Sequence, residues 1–297
     1  MSNPALARET ARPVRAWSVG RALSGRRLRP AIVSLVLVPI AFLWVYPFLW
    51  MVSAALKTDG EIFAGLGLVP GSLQWGNFAR AWTEARIGRY FFNTVVITGA
   101  SIAIVVSSVA MIGYVLGRYR FPGKRLVVGL YVATVFLPEG YTIIPVVGLI
   151  NDLGLGDSLA GVTLGVSGGS HVVMVLLFAG FFAQLPKELE EAAIVDGAGF
   201  VRVFAQIMLP LAKPVVATAI ILQFMFAWNS FLLPLVLTLS RPELRTLAVG
   251  MAAFQGEYYT DWSGMAAAAT IGLMPIIVVF LLLQRYFVEG IAGSVKQ

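Results

Sequence analysis

Six apolar runs leave this chain few folds to choose from. They cover residues 31–56, 90–116, 126–150, 159–182, 214–239 and 263–286 of the 297-residue sequence. A helix of about 20 apolar residues crosses the hydrocarbon core of a bilayer, and every backbone group there must find its partner within the helix. A transmembrane barrel would show alternating segments of about ten residues instead. Hydrophobic residues make up 58% of the chain and charged residues 12%, against about a quarter charged in a soluble domain. The expected fold is an all-α membrane protein with six transmembrane helices. The absence of cysteine excludes a disulfide framework, a thiol nucleophile and a cysteine metal site.

The net charge of +7 is not spread as in a nucleic-acid binder. Residues 1–30 hold seven arginines and one acid, with Pro4, Pro13 and Pro30, and read as a disordered tail. The apolar run that follows is too long for a cleaved signal segment, so 31–297 is expected to be the transmembrane domain. Beyond the seven tail arginines, four basic residues lie in the turn Arg118–Arg125, three in 185–213 and two at the C-terminal end, Arg285 and Lys296. The alternate connections hold only Lys57, Arg80, Arg86, Arg89, Arg241 and Arg245. The positive-inside rule places both termini and the 185–213 stretch in the cytoplasm. Trp75, Trp82 and Tyr90 in and beside the first long connection suit a membrane interface.

One connection differs from the others. LPKELEEAAIVDGAGFVRVFAQIMLPLAKP, residues 185–214, reads as two short helices joined by a glycine turn. Pro186 suits a first helical turn, and Glu188, Glu190 and Glu191 suit the positive end of a helix dipole. Leu189, Ala192 and Ala193 share a face on which another backbone can come close. Asp196-Gly197 ends the first helix. Phe200, Val203, Phe204, Ile207 and Met208 make the apolar stripe of the second. A helix resting on the bilayer surface would explain the second element alone, but neither the small-residue face nor the turn.

The segment EAAIVDGAGFVRVFAQIMLPLAKP closely resembles the EAA loop of ABC importer permeases. Glu191, Ala192, Ala193, Asp196, Gly197, Ala198, Phe204, Ile207, Leu209 and Pro210 match its pattern. FPGKR (121–125), IPVVGLINDLGLGDS (144–158), FAWNSFLLPL (226–235) and the ending VEGIAGSVKQ extend the resemblance over 31–297, to the carbohydrate-uptake, maltose-type (MalG-like) branch. The resemblance implies a type I importer permease fold with a cytoplasmic two-helix coupling (EAA) loop that docks on a cytoplasmic ABC ATPase dimer. In that role Glu191 is a polar anchor, Ala192 and Ala193 the close-contact face, and Asp196 and Gly197 the turn. Phe204 and Ile207 then pack on the spans, and Pro210 closes the motif. It also implies a second permease subunit (MalF-like), an extracytoplasmic solute-binding protein and a sugar substrate. In that branch the C-terminal tail reaches toward the ATPase, but Gln297 stands where the family usually ends in glycine. The loop FQGEYYTDW (254–262) would reach the binding protein, or else form an aromatic belt.

No nucleotide loop is present: Gly123-Lys124 is followed by Arg125 and lacks the upstream glycine. ATP and Mg would therefore be used by the partner ATPase, and this chain is expected to hold no cofactor and catalyse nothing itself. Glu139 is the one acid in the interior of the apolar runs, which makes it a candidate for the translocation path, or a carboxylate reaching outer water. Trp228 and Asn229 in the fifth run are further path candidates, because aromatic faces and amides suit a sugar. His171, the lone histidine, lacks metal-ligand neighbours and reads as structural. Gly113–Gly117 and Gly161–Gly165 match G-x-x-x-G, a close-packing pattern between helices. A permease for a non-sugar solute would need acids or bases lining its path. A transporter without an ATPase, or a scaffold, would not need the docking loop.

Overall fold

The computed structural model describes residues 22–169, 171–256 and 260–294, with side chains left out at a few of these positions. The described part of the expected tail, 22–30, is helical and opens the first helix, and residues 1–21 lie outside the described residues. The chain divides into two units, 1–50 and 51–297. Most of α1 (Ala22–Ala54) belongs to the first; after its arginines, from Val33 on, it is apolar on every side, and Leu35, Leu43 and Trp44 are all more than two-thirds exposed. Such a helix is built for an apolar surrounding.

The second unit continues with α2 (Asp59–Phe63), α3 (Gly76–Thr83), α4 (Ile87–Arg118), α5 (Lys124–Ala133), α6 (Glu139–Asp152), α7 (Leu159–Ser167), α8 (Val172–Gln184), α9 (Glu188–Val195), α10 (Phe200–Val203), α11 (Leu209–Leu211), α12 (Lys213–Asn229), α13 (Leu232–Leu237), α14 (Leu247–Met251) and α15 (Trp262–Ser294). Three helices are long and apolar enough to cross a membrane unaided: Val33–Ala54, Ile87–Arg118 and Trp262–Arg285. The third and fourth expected spans are bent pairs, and the helix of the fifth is paired across a bend with 200–211 of the preceding loop; local chemistry accounts for each bend.

The third span turns by 109° between α5 and α6. A proline disfavours the helical conformation in the residue before it, and Leu137, before Pro138, is extended at φ −82°, ψ 116°. Pro145, in the same run, lies inside α6. The fourth span bends by 60° between α7 and α8, with Gly168 closing α7 and His171 opening α8. The fifth begins at an 82° break between the end of α11 and α12, framed by Pro210 and Pro214. At 17 residues α12 is about 25 Å long, short of the hydrocarbon thickness, and α13 follows it.

The centre of the unit is α4, which packs on α8, α7, α12 and α14, while α12 also packs on α15. Gly113 and Gly117 explain the α4–α8 contact. A Cβ on Gly117 would stand 2.6 Å from the Ala179 carbonyl oxygen, and one on Gly113 would strike Phe178. The second glycine pair works differently: Gly161 abuts the Leu155 carbonyl and Gly165 the side chains of Leu233 and Leu237. Tyr90 is not an interfacial aromatic. It is 5% exposed and lies over Gly250. Three buried clusters follow α4 along its length. One is at its Arg118 end, one is at its Ile87 end, and the third gathers Ile97 with α6, α7, α12 and α13.

Candidate functional site

At the Arg118 end of α4, the chain between α8 and α12 forms a helix–turn–helix with two unlike faces. Its first helix, α9, carries Glu188, Glu190 and Glu191 in the opening turn, where the helix dipole favours them. Pro186 lies one residue before the cap, Lys187, rather than inside the helix. The end of α9 is set by Gly197, at φ +80°, where a side chain would be strained. The Ala198 N–H donates to the Ala193 carbonyl (2.9 Å) and the Gly197 N–H to the Ile194 carbonyl (3.0 Å), the paired closure of a Schellman motif.

The second helix is not uniform. Phe204–Met208 is a π-helical turn between α10 and α11. Pro210 explains it, since its ring would meet the carbonyl four residues back, at Gln206, and it has no N–H to donate there. The inner face of the segment packs into the buried cluster at this end of α4. Ala193, Val203 and Met208 are buried with Val109, Ala110 and Tyr114 of α4 and with Phe178 and Phe182 of α8. Phe204 and Ile207 pack at the edge of that cluster, with the Phe204 ring 5.3 Å from Tyr114. Ala193 therefore makes its close approach to its own chain, while Ala192 stays open. Glu191, Ala192, Asp196 and Pro210 are exposed, and Ala198 is half-buried. So are apolar residues that the sequence reading did not single out: Ile194 is 61% exposed and Val195 87%.

The sequence reading also missed what holds this loop. Arg118 ends α4. Its Nε donates to Glu190 Oε2 at 2.6 Å, its Nη1 to the carbonyls of Leu185 (2.7 Å) and Phe182 (3.3 Å), and its Nη2 to that of Pro186 (3.3 Å). Tyr114, one turn earlier, donates its hydroxyl to Glu190 Oε1. The Tyr114 ring is fully buried among Phe182, Phe200, Phe204 and Tyr119. Both oxygens of Glu190 are thus taken by α4, and the side chains of Arg118 and Glu190 are only 5% and 15% exposed. The carbonyls of Phe182 and Leu185 belong to the end of α8, where a helix leaves acceptors without partners.

At the other end of α4 a second set of bonds holds loops. Asn93 donates to the carbonyls of Glu243 and Arg245, and Thr94 accepts from the Leu247 N–H. Arg80 meets Asp261 through two bonds of 3.1 and 3.2 Å. Asp261 in turn accepts from the Gly264 N–H at the start of α15, and Asp59 from that of Ser263. Gln255 and Thr260 pair across the aromatic loop, whose residues 257–259 lie outside the described residues, as do 295–297 of the C-terminal tail.

The path candidates are scattered. Trp228 is buried, donates its indole N–H to the Gly272 carbonyl at 3.1 Å, and stacks on Phe224. It packs α12 on α15. Asn229 is exposed at the end of α12 and donates to the Met225 carbonyl. Glu139 is the first residue of α6, at the 109° bend, and its side chain lies outside the described residues. The Nε2 of His171 lies 3.0 Å from the Ser167 carbonyl. No group of three metal-ligating side chains occurs among the described residues.

The helices α7, α8 and α12 thus pack on one long helix, α4, with a helix–turn–helix held to its Arg118 end. The chain belongs to the family of binding-protein-dependent transport system inner membrane components, whose pattern matches residues 86–293. It is 34% identical over 278 residues to a diacetylchitobiose uptake system permease protein of Streptomyces coelicolor, covering 93% of this chain and 90% of that one. It is 31% identical over 268 residues to a melibiose/raffinose/stachyose import permease protein of Bacillus subtilis, covering 89% and 96%. The fold matches a chain from the crystal structure of a bacterial ABC transporter involved in the import of the acidic polysaccharide alginate. The TM-score is 0.75 at 22% identity, covering 89% of this chain and 98% of that one. The chain is an inner-membrane permease component of a binding-protein-dependent ABC importer.

Proposed function

We propose that this permease moves a mono- or oligosaccharide into the cytoplasm by ATP-driven alternating access, with both termini and the 185–214 loop on the cytoplasmic side. The two-faced loop carries the reading. Ala193, Val203 and Met208 are buried with the spans, while Glu191, Ala192, Ile194 and Val195 present an open, partly apolar surface beyond them. An ATPase dimer docked there pulls directly on the packing of α4 and α8. The Asp196–Gly197 turn sets the angle between the two helices, and Phe204, Ile207 and Pro210 tie the second one to the fifth span.

ATP and Mg act in that partner. A second, MalF-like permease completes the path, and a solute-binding protein delivers cargo at the far end, near the 254–262 loop. The two relatives named for oligosaccharide uptake favour a sugar as cargo. Asn229 and Glu139 remain candidates for the path, while Trp228 supports it by packing. An effector shifts such a cycle only through its different affinity for the inward and outward states.

The test is uptake of labelled diacetylchitobiose and melibiose into vesicles holding the permease pair, the ATPase and the binding protein. Uptake should require ATP, and Glu191→Lys should abolish ATPase association with uptake. Association and uptake intact in that variant would refute the docking role.

A further inference from the structure

We infer that Arg118 is a positioning residue that makes the end of α4, the end of α8 and the start of α9 move as one body. The inference rests on the coupling reading above and adds the route by which motion leaves the loop. Arg118 reaches the carboxylate of Glu190 and three carbonyls between Phe182 and Pro186. Tyr114 takes the remaining oxygen of Glu190. Above this knot, Gly113 and Gly117 bring α4 against α8 at backbone distance. An arginine is suited to the place because its planar fork holds five donors in a fixed, extended geometry, where a lysine offers three on one compact, flexible ammonium.

The downstream side of the loop is built otherwise. There α11 meets α12 at an 82° break framed by two prolines, behind a π-helical turn. Displacement of α9 therefore passes into α4 and α8 through Arg118, and the break at Ala212 takes up the change in angle.

The native chain has no cysteine, so paired spin labels can be placed on it without background. Glu188→Cys at the start of α9 and Met111→Cys on α4 are both exposed. In the reconstituted complex the labelled native pair should give one narrow distance, the same without nucleotide and with ATP trapped. Adding Arg118→Gln should broaden that distribution and lower uptake per ATP hydrolysed by about tenfold, within the usual range of coupling between sites, with ATPase activity retained. Arg118→Lys should restore part of the ratio.

A native-like distance in Arg118→Gln would overturn the inference. So would broadening with an unchanged ratio, or a loss of ATPase and uptake in parallel. If Arg118→Gln fails to assemble, the isosteric Glu190→Gln is read by the same criteria. Failure of the native complex to couple uptake to ATP would instead sink the functional reading itself.

Discussion

Two ion pairs hold loops to opposite ends of the same architecture, and they are built to different standards. Arg118–Glu190 is closed in, with its side chains 5% and 15% exposed and both carboxylate oxygens accepting from α4. Arg80–Asp261 is open, at 42% and 24%, and Asp261 divides its oxygens between Arg80 and the N-terminal groups of α15. A buried pair with every site filled cannot bend without stranding a charge. An exposed pair exchanges its partners with water at little cost. The first suits a joint that transmits motion, and the second a loop that can shift at little cost.

The largest effect should come from breaking the buried pair on one side only. Glu190→Ala leaves Arg118 unpaired in a closed pocket and should destabilise the folded subunit by about 3 kcal/mol or more, read by thermal unfolding in detergent. Glu190→Leu combined with Arg118→Met should recover part of that loss, because the stranded charge is gone. A double variant no better than Glu190→Ala would show that the carbonyl bonds of Arg118, not its charge, carry the joint.

A smaller effect tests the packing above it. Gly117→Ala drives a methyl toward the Ala179 carbonyl and should cost about 1–3 kcal/mol, as overpacking does. Gly99→Ala, whose Cβ meets nothing within 4 Å, should not destabilise. The smallest effect belongs to the open pair: Arg80→Ala should cost less than about 1 kcal/mol and the difference should fade with added salt. A salt-insensitive loss as large as that of Glu190→Ala would erase the contrast between the two ends.

The spans were legible because apolar composition over twenty residues leaves no other fold, and the bend at Pro138 because a proline constrains the residue before it. Pro145, in the same run, makes no second break. A proline stays inside a membrane helix when neighbouring groups take up its missing bond. Within the loop, the Asp196–Gly197 turn is a local event and could be read. Glu190 could not be separated from Glu188 and Glu191, because only the rotation of α9 against α4 decides which acid meets Arg118. The same limit applies to Ala193, whose close contact proved internal. It applies to Tyr90 and Trp228 as well, whose rings read as interfacial or sugar-facing until their neighbours, Gly250 and Gly272, were in place.

The most direct measurement is sugar accumulation in vesicles carrying the complete importer, with native permease and with Glu191→Lys. The expected result is ATP-dependent uptake by the native complex, lost in the variant together with ATPase association. Equal uptake by both would contradict the role given to the 185–214 loop.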